Sequence, residues 1–131
     1  MTPRLIRVGA SDSPVVVVDD VVGDVGRIVE LAAALAPFPT VAGSYYPGVR
    51  RVLTPADGSA HDYATTLLQA LAPFIGGAFD VDGFDWIEGS FSMVTAPPAT
   101  LSPAQRAPHF DAVDPGYLAV LHYLSDTPGS G

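Results

Sequence analysis

The sequence contains no cysteine and no lysine. Without thiols there is no disulfide framework, no thiolate zinc site, no iron–sulfur cluster and no cysteine nucleophile. Without lysine there is no P-loop and no Schiff base on a side-chain amine. All side-chain positive charge rests on Arg4, Arg7, Arg27, Arg50, Arg51 and Arg106, against 14 acidic residues and a formal charge of −8. Neutralising the phosphates of nucleic acid or anionic lipid takes a cluster of basic residues, and the pair Arg50-Arg51 is not one. Neither a nucleic-acid nor a membrane partner is therefore expected. The longest apolar run, residues 15–18, is far short of the ~18 residues that a membrane helix needs. Residues 1–10 carry arginines but lead into no apolar stretch with a cleavage site, so a cytoplasmic protein is the default expectation.

What is present suits one globular unit. The 131 residues fit a single domain. Forty-eight per cent are hydrophobic and 15 per cent charged, which is too apolar for an acidic disordered chain. Gly and Pro, 13 of each, show no Gly-X-Y period and mark a turn-rich chain.

Periodicity orders the elements. Four β-branched residues at 15–18, followed by Asp19-Asp20, predict a buried strand. Asp24 is placed to cap a helix with Val25, Ile28, Val29, Ala32 and Leu35 on one stripe, ended by Pro37 and Pro39. Residues 42–55 read as loop. A second helix is predicted over 62–72, with Tyr63, Leu67, Ala70 and Leu71 on one face and Phe74 continuing it, stopped by Gly76-Gly77. Alternation then predicts a strand over 86–95 with Ile87, Phe91 and Met93 on one side. A short strand end at 108–111, a turn at Asp114-Pro115-Gly116 and a strand over 117–124 follow. That last strand is apolar on both faces, as in a core. The expected class is α+β in one domain spanning 1–131, with a helical part at 1–80 and a β core at 81–131.

The chemistry concentrates in residues 105–124. Side chains two apart on a strand share a face, so His109 and Asp111 can converge on one point. An imidazole and a carboxylate are two of the three ligands of the facial triad in non-heme Fe(II) oxygenases, and the third is a second histidine. By spacing alone the pair reads first as a turn whose Asp accepts from a backbone amide.

The surroundings carry a resemblance. Gln105, then Pro108-His109-Phe110-Asp111, a Pro-Gly turn and an apolar stretch closing in His122-Tyr-Leu-Ser-Asp126 resemble the core of the iron- and 2-oxoglutarate-dependent oxygenases, in particular the prolyl-hydroxylase-like branch. The pieces Tyr46-Pro-Gly-Val-Arg50, Ser92-Met-Val-Thr95 and Pro103-Ala-Gln-Arg-Ala-Pro-His109 resemble more specifically the bacterial DUF6445 family, which has that oxygenase-like core. The resemblance implies a double-stranded β-helix (jelly-roll) core on which the N-terminal strand and two helices pack. It also implies His109 and Asp111 as metal ligands, Fe(II) and 2-oxoglutarate as cofactors, and hydroxylation of a C–H bond with O₂. In those oxygenases the distal histidine and the Arg or Lys that grips 2-oxoglutarate follow a Gly-rich turn. Here Ser130 stands where a second glycine is usual and Gly131 lies inside that turn. The expectation is a core incomplete at its C-terminus that continues in a longer protein.

Other residues weigh less. His122 shares a strand face with Leu118, Val120 and Leu124, which predicts a packed histidine. His61, beside Asp62, reads as a solvated turn or cap residue. Arg50 and Arg51 could grip a carboxylate bidentately, or stand exposed beside acidic neighbours. Trp86 with Tyr45 and Tyr46 could line a pocket, although a strand tryptophan more often packs a core. Ser44, Ser59 and Ser92 lack a nucleophile-elbow context. Asp80, Asp82 and Asp85 fail as an EF-hand loop, since the sixth and twelfth positions are Asp85 and Phe91. Three functions follow in order of preference: an Fe(II)/2-oxoglutarate oxygenase-like protein, a non-catalytic binding or scaffold module of that fold, and a cupin-like binder with an accidental metal pair. The residues select no class of substrate, peptidyl or small-molecule.

Overall fold

The valines at 15–18 do form a strand, but as one arm of an exposed hairpin. In the computed structural model, which describes residues 1–40, 45–109 and 111–128, β1 (Thr2–Val8) pairs antiparallel with β2 (Ser13–Asp19). The register sets Leu5 opposite Val16 and Val8 opposite Ser13. The turn between them closes through the Asp12 N–H donating to the Gly9 carbonyl at 3.3 Å, with Gly9 and Asp12 both at positive φ. Val16, Val17 and Val18 are only half-buried, because β2 has α2 on one side and, among the described residues, β1 as its sole strand neighbour. Arg4 reaches diagonally to Asp19 at 3.1 Å, an exposed pair that contributes at most about 1 kcal/mol. Strand β1 has no counterpart in the sequence reading: Pro3, Arg4 and Arg7 break its apolar alternation.

Helix α1 (Val25–Ala34) begins where expected. The Asp24 carboxylate accepts from the Arg27 backbone N–H at 3.0 Å, filling one of the orphan donors of the first turn. Ile28 is its buried residue, with Leu31, Ala32 and Leu35 half-buried beside it.

Helix α2 (Ser59–Phe79) is longer than the pattern predicts at both ends. Pro73 removes one backbone bond within it, and Gly76-Gly77 lie inside rather than at the stop. Burial carries the helix through: Ala60, Leu67 and Ile75 recur at intervals of seven and eight residues and are its buried face. The stop is Asp80 in the left-handed region at φ 53°, whose N–H bonds the Gly76 carbonyl. Aspartate is among the few non-glycine residues that tolerate this conformation.

Residues 42–55 are not wholly loop. Gly48–Val52 form β3, paired antiparallel with β4 (Ser90–Val94), so that Arg51 lies opposite Phe91. Residues 42–44, Ser44 among them, lie outside the described residues. The strand escapes a hydrophobic pattern because one inward position is an arginine. Arg51 is only 29 % exposed and donates to both oxygens of Asp57, at 2.8 and 3.3 Å, and to the Val52 carbonyl. Gly48 is required, since a Cβ there would stand 1.9 Å from the Met93 carbonyl oxygen. The Thr54 backbone N–H, donating at 2.7 Å, holds the Asp57 carboxyl below its ordinary 3.8, with Arg51 adding to the effect. A lowered carboxyl stabilises the fold above 3.8 and ceases to as pH falls through the folded value. Asp57→Asn is thus expected to lower the melting temperature at pH 7, with the gap to the parent closing on acidification below that range. A gap that persists in acid would show that the charge is not its source.

The core lies where α1, α2 and β4 meet, as Ile28, Ala60 and Phe91, ringed by Val22, Leu31, Leu35, Phe38, Leu53, Tyr63 and Leu124. Of the strand predicted over 86–95, only 90–94 pairs, and only Phe91 of its three apolar positions is buried; Ile87 and Met93 are 71 % and 55 % exposed. Residues 117–124 join no strand ladder among the described residues. His122 and Leu124 turn inward there, while Leu121 and Tyr123 are 77 % and 62 % exposed. No helix among the described residues is long and apolar enough to cross a membrane.

Candidate metal site

Local sequence chemistry fixes the approach to His109. Ser102 and Gln105 form a capping box at the start of α3 (Pro103–Arg106): Ser102 N–H donates to Gln105 Oε1 at 2.8 Å, and Gln105 N–H to Ser102 Oγ at 3.2 Å. Pro103 supplies the favoured first helical residue. The Arg106 guanidinium folds back on the Leu101 carbonyl at 2.8 and 3.2 Å. Beyond the site, Asp114 Oδ1 accepts from Gly116 N–H at 2.8 Å and the Asp114 carbonyl from Tyr117 N–H at 3.2 Å, closing the anticipated Asp-Pro-Gly turn. His109 and Asp111 therefore sit on a short span between two self-closed segments. None of its described residues joins a strand ladder, and Phe110 lies outside the described residues.

The two side chains lie close together, although not on the strand from which their convergence is expected. His109 Nε2 stands 3.4 Å from Asp111 Oδ1, and both are exposed, at 76 % and 84 %. His109 Nδ1 lies 3.2 Å from the Ala107 carbonyl. A carbonyl only accepts, so the Ala107 contact is a hydrogen bond when Nδ1 carries the hydrogen; in that neutral tautomer the Nε2 lone pair faces the acceptor-only Asp111 carboxylate, an arrangement that a cation shared between them makes favourable. Metal-ligating histidines are commonly oriented by such a bond from the opposite ring nitrogen. Two donors at right angles, each roughly 2.1 Å from one ion, stand roughly 3 Å apart, so the separation suits adjacent ligands after a small adjustment. As a bare ion pair, two groups this exposed contribute little stability.

The surroundings define what is missing. Beside the pair is an open hollow of about 510 Å³ lined by Asp111, Ala112, Val113, Asp114 and Tyr117. Its lining carries two acids and no cation, so an anionic cofactor there needs positive charge from a bound metal or from another side chain. Among the described residues no third His, Cys, Asp or Glu groups with another pair to complete a metal site. Arg50, the candidate anion contact, is not part of the hollow's lining; its guanidinium carbon stacks 4.0 Å above the Tyr46 ring. Arg51 is committed to Asp57.

The remaining candidates are placed elsewhere. His122 is packed, as its strand face predicts, with Nδ1 hydrogen-bonded to the Tyr63 hydroxyl. His61 is not a solvated cap residue: it lies in the first turn of α2 against Trp86, ring centroids 4.9 Å apart. Trp86 meets His61, Tyr46 lies under Arg50, and Tyr45 is 72 % exposed. Two contributors escape the sequence reading: the Ala107 carbonyl, which has no side-chain signature, and Tyr63, which reads only as one apolar position of a helix stripe.

No curated protein and no solved structure matches the chain. A family model does, over residues 1–131, and its description is a family of unknown function. The chain belongs to the DUF6445 family.

Proposed function

We propose that His109 and Asp111 are two ligands of a divalent transition metal, and that the protein is of the Fe(II)/2-oxoglutarate-dependent oxygenase type. The observation that carries this reading is the convergence of His109 Nε2 and Asp111 Oδ1 at 3.4 Å, with Nδ1 occupied by the Ala107 carbonyl. The resemblance of residues 105–126 to the oxygenase core supplies the metal's identity and the chemistry. Fe(II) with 2-oxoglutarate and O₂ supplies an oxidant able to hydroxylate an unactivated C–H bond. The chain's own part is to hold the ion through one neutral nitrogen and one carboxylate and leave further positions open. A double-stranded β-helix core belongs to the same proposal and rests on the resemblance alone; the described residues hold two two-stranded sheets.

A complete triad needs another histidine. Neither His61 nor His122 fills that role, since Trp86 and Tyr63 engage them elsewhere. The absence of a three-ligand group among the described residues also favours a second reading, a non-catalytic binding module of the same fold. Titrated anaerobically with Fe(II), or with Mn(II) in air, the 131-residue chain is expected to bind weakly and to release no succinate from 2-oxoglutarate. Robust succinate formation would overturn the reading that a triad member is missing from these residues, because turnover requires a full set of ligands.

A further inference from the structure

We propose that His122 and Tyr63 form a pH-sensitive latch that holds residues 117–124 on helix α2 and lets them go when the imidazole takes up a proton. The segment joins no ladder among the described residues, so its attachment there rests on side chains. Two are recorded. Leu124 packs on the Ile28–Ala60–Phe91 cluster, and His122 Nδ1 hydrogen-bonds the Tyr63 hydroxyl across 59 residues of sequence. The Tyr63 ring is itself held parallel to buried Phe91, centroids 6.1 Å apart, so the latch is seated against the core.

The groups facing His122 determine the sign. From α2 it meets Tyr63, and behind Tyr63 stands the uncharged Phe91 of β4. Among the described residues no Asp or Glu forms an ion pair with His122, so nothing compensates a charged ring. Burial pushes the Tyr63 phenol up to about 12, and the hydroxyl stays a donor through the neutral range. A neutral ring accepts that hydrogen at Nδ1. A doubly protonated ring cannot accept it and is disfavoured by burial, which lowers the His122 value from 6.5. The docked state is therefore intact above 6.5 and is lost as pH falls through the lower value of the docked ring.

An NMR titration of the whole chain from pH 8 to pH 4.5 tests this, with carbon-13 in the imidazoles and leucine methyls. The expected result is a His122 midpoint below 6.5, with the Leu124 methyls losing their ring-current shifts at that same midpoint while helical ellipticity stays constant. In His122→Gln, where the amide oxygen can still accept from Tyr63, the Leu124 methyls are expected to keep docked shifts across the range. Leu124 shifts that stay docked after His122 is charged would overturn the latch. So would a Leu124 transition unchanged in His122→Gln, which would assign it to another group. If the variant fails to fold, the comparison of the His122 and Leu124 midpoints in the parent chain decides alone.

Discussion

Phe91→Ala costs about 3–5 kcal/mol of folding free energy, the range for truncating a buried aromatic side chain. Phe91 is 7 % exposed and clusters with Ile28 of α1 and Ala60 of α2, while its ring backs Tyr63. Removing it takes the shared contact from three elements at once. Against a typical domain stability of about 5–15 kcal/mol, the loss would move the urea midpoint sharply downward and leave a measurable unfolded population in buffer. Met93 is the internal control. It lies two residues along the same strand but is 55 % exposed, so Met93→Ala is expected to fall within about 0.5 kcal/mol of the parent. Equal shifts for the two variants would mean that β4 does not face the core as described.

His109→Ala has the largest expected effect on binding. Outer-shell partners of metal ligands are typically worth about 10–100-fold in affinity, so deleting a direct ligand should cost at least about tenfold in Mn(II) binding. Asp111→Asn should match it, since the pair binds as a unit. The contrast lies with neighbours. Asp114 lines the same hollow, yet its Oδ1 is engaged by the Gly116 N–H, so Asp114→Asn is expected to leave affinity within about twofold, as for a residue outside the ligand set. His61→Ala likewise leaves it unchanged, because that ring is turned to Trp86. A protein of charge −8 attracts divalent cations generally, and only the pattern across these four variants separates a site from that background.

What the sequence reveals and what it hides follow one rule. Signals that act within a few residues are legible. Asp24 caps α1, Asp114 closes its turn, and His109 meets Asp111. Signals that depend on distant partners are not. Strand β3 is obscured because its inward Arg51 makes sense only once Asp57 is known to face it. Gly76-Gly77 looks like a helix stop until Ile75 is seen buried. Residues 117–124 have the composition of a core strand, but a strand needs a ladder, and among the described residues none is offered. Of the face expected to carry Leu118, Val120, His122 and Leu124, only His122 and Leu124 are half-buried, while Leu118 and Val120 are exposed. Gly129, Ser130 and Gly131 lie outside the described residues.

Paramagnetic broadening by Mn(II), read residue by residue in an assigned spectrum of the whole chain, tests the metal pair most directly. At substoichiometric metal, the imidazole signals of His109 and the backbone signals of Asp111 and Ala112 should vanish first, with His61 and His122 unaffected. Broadening centred instead on Asp80, Asp82 and Asp85, with the His109 ring signals intact, would contradict the assignment of His109 and Asp111 as a metal pair.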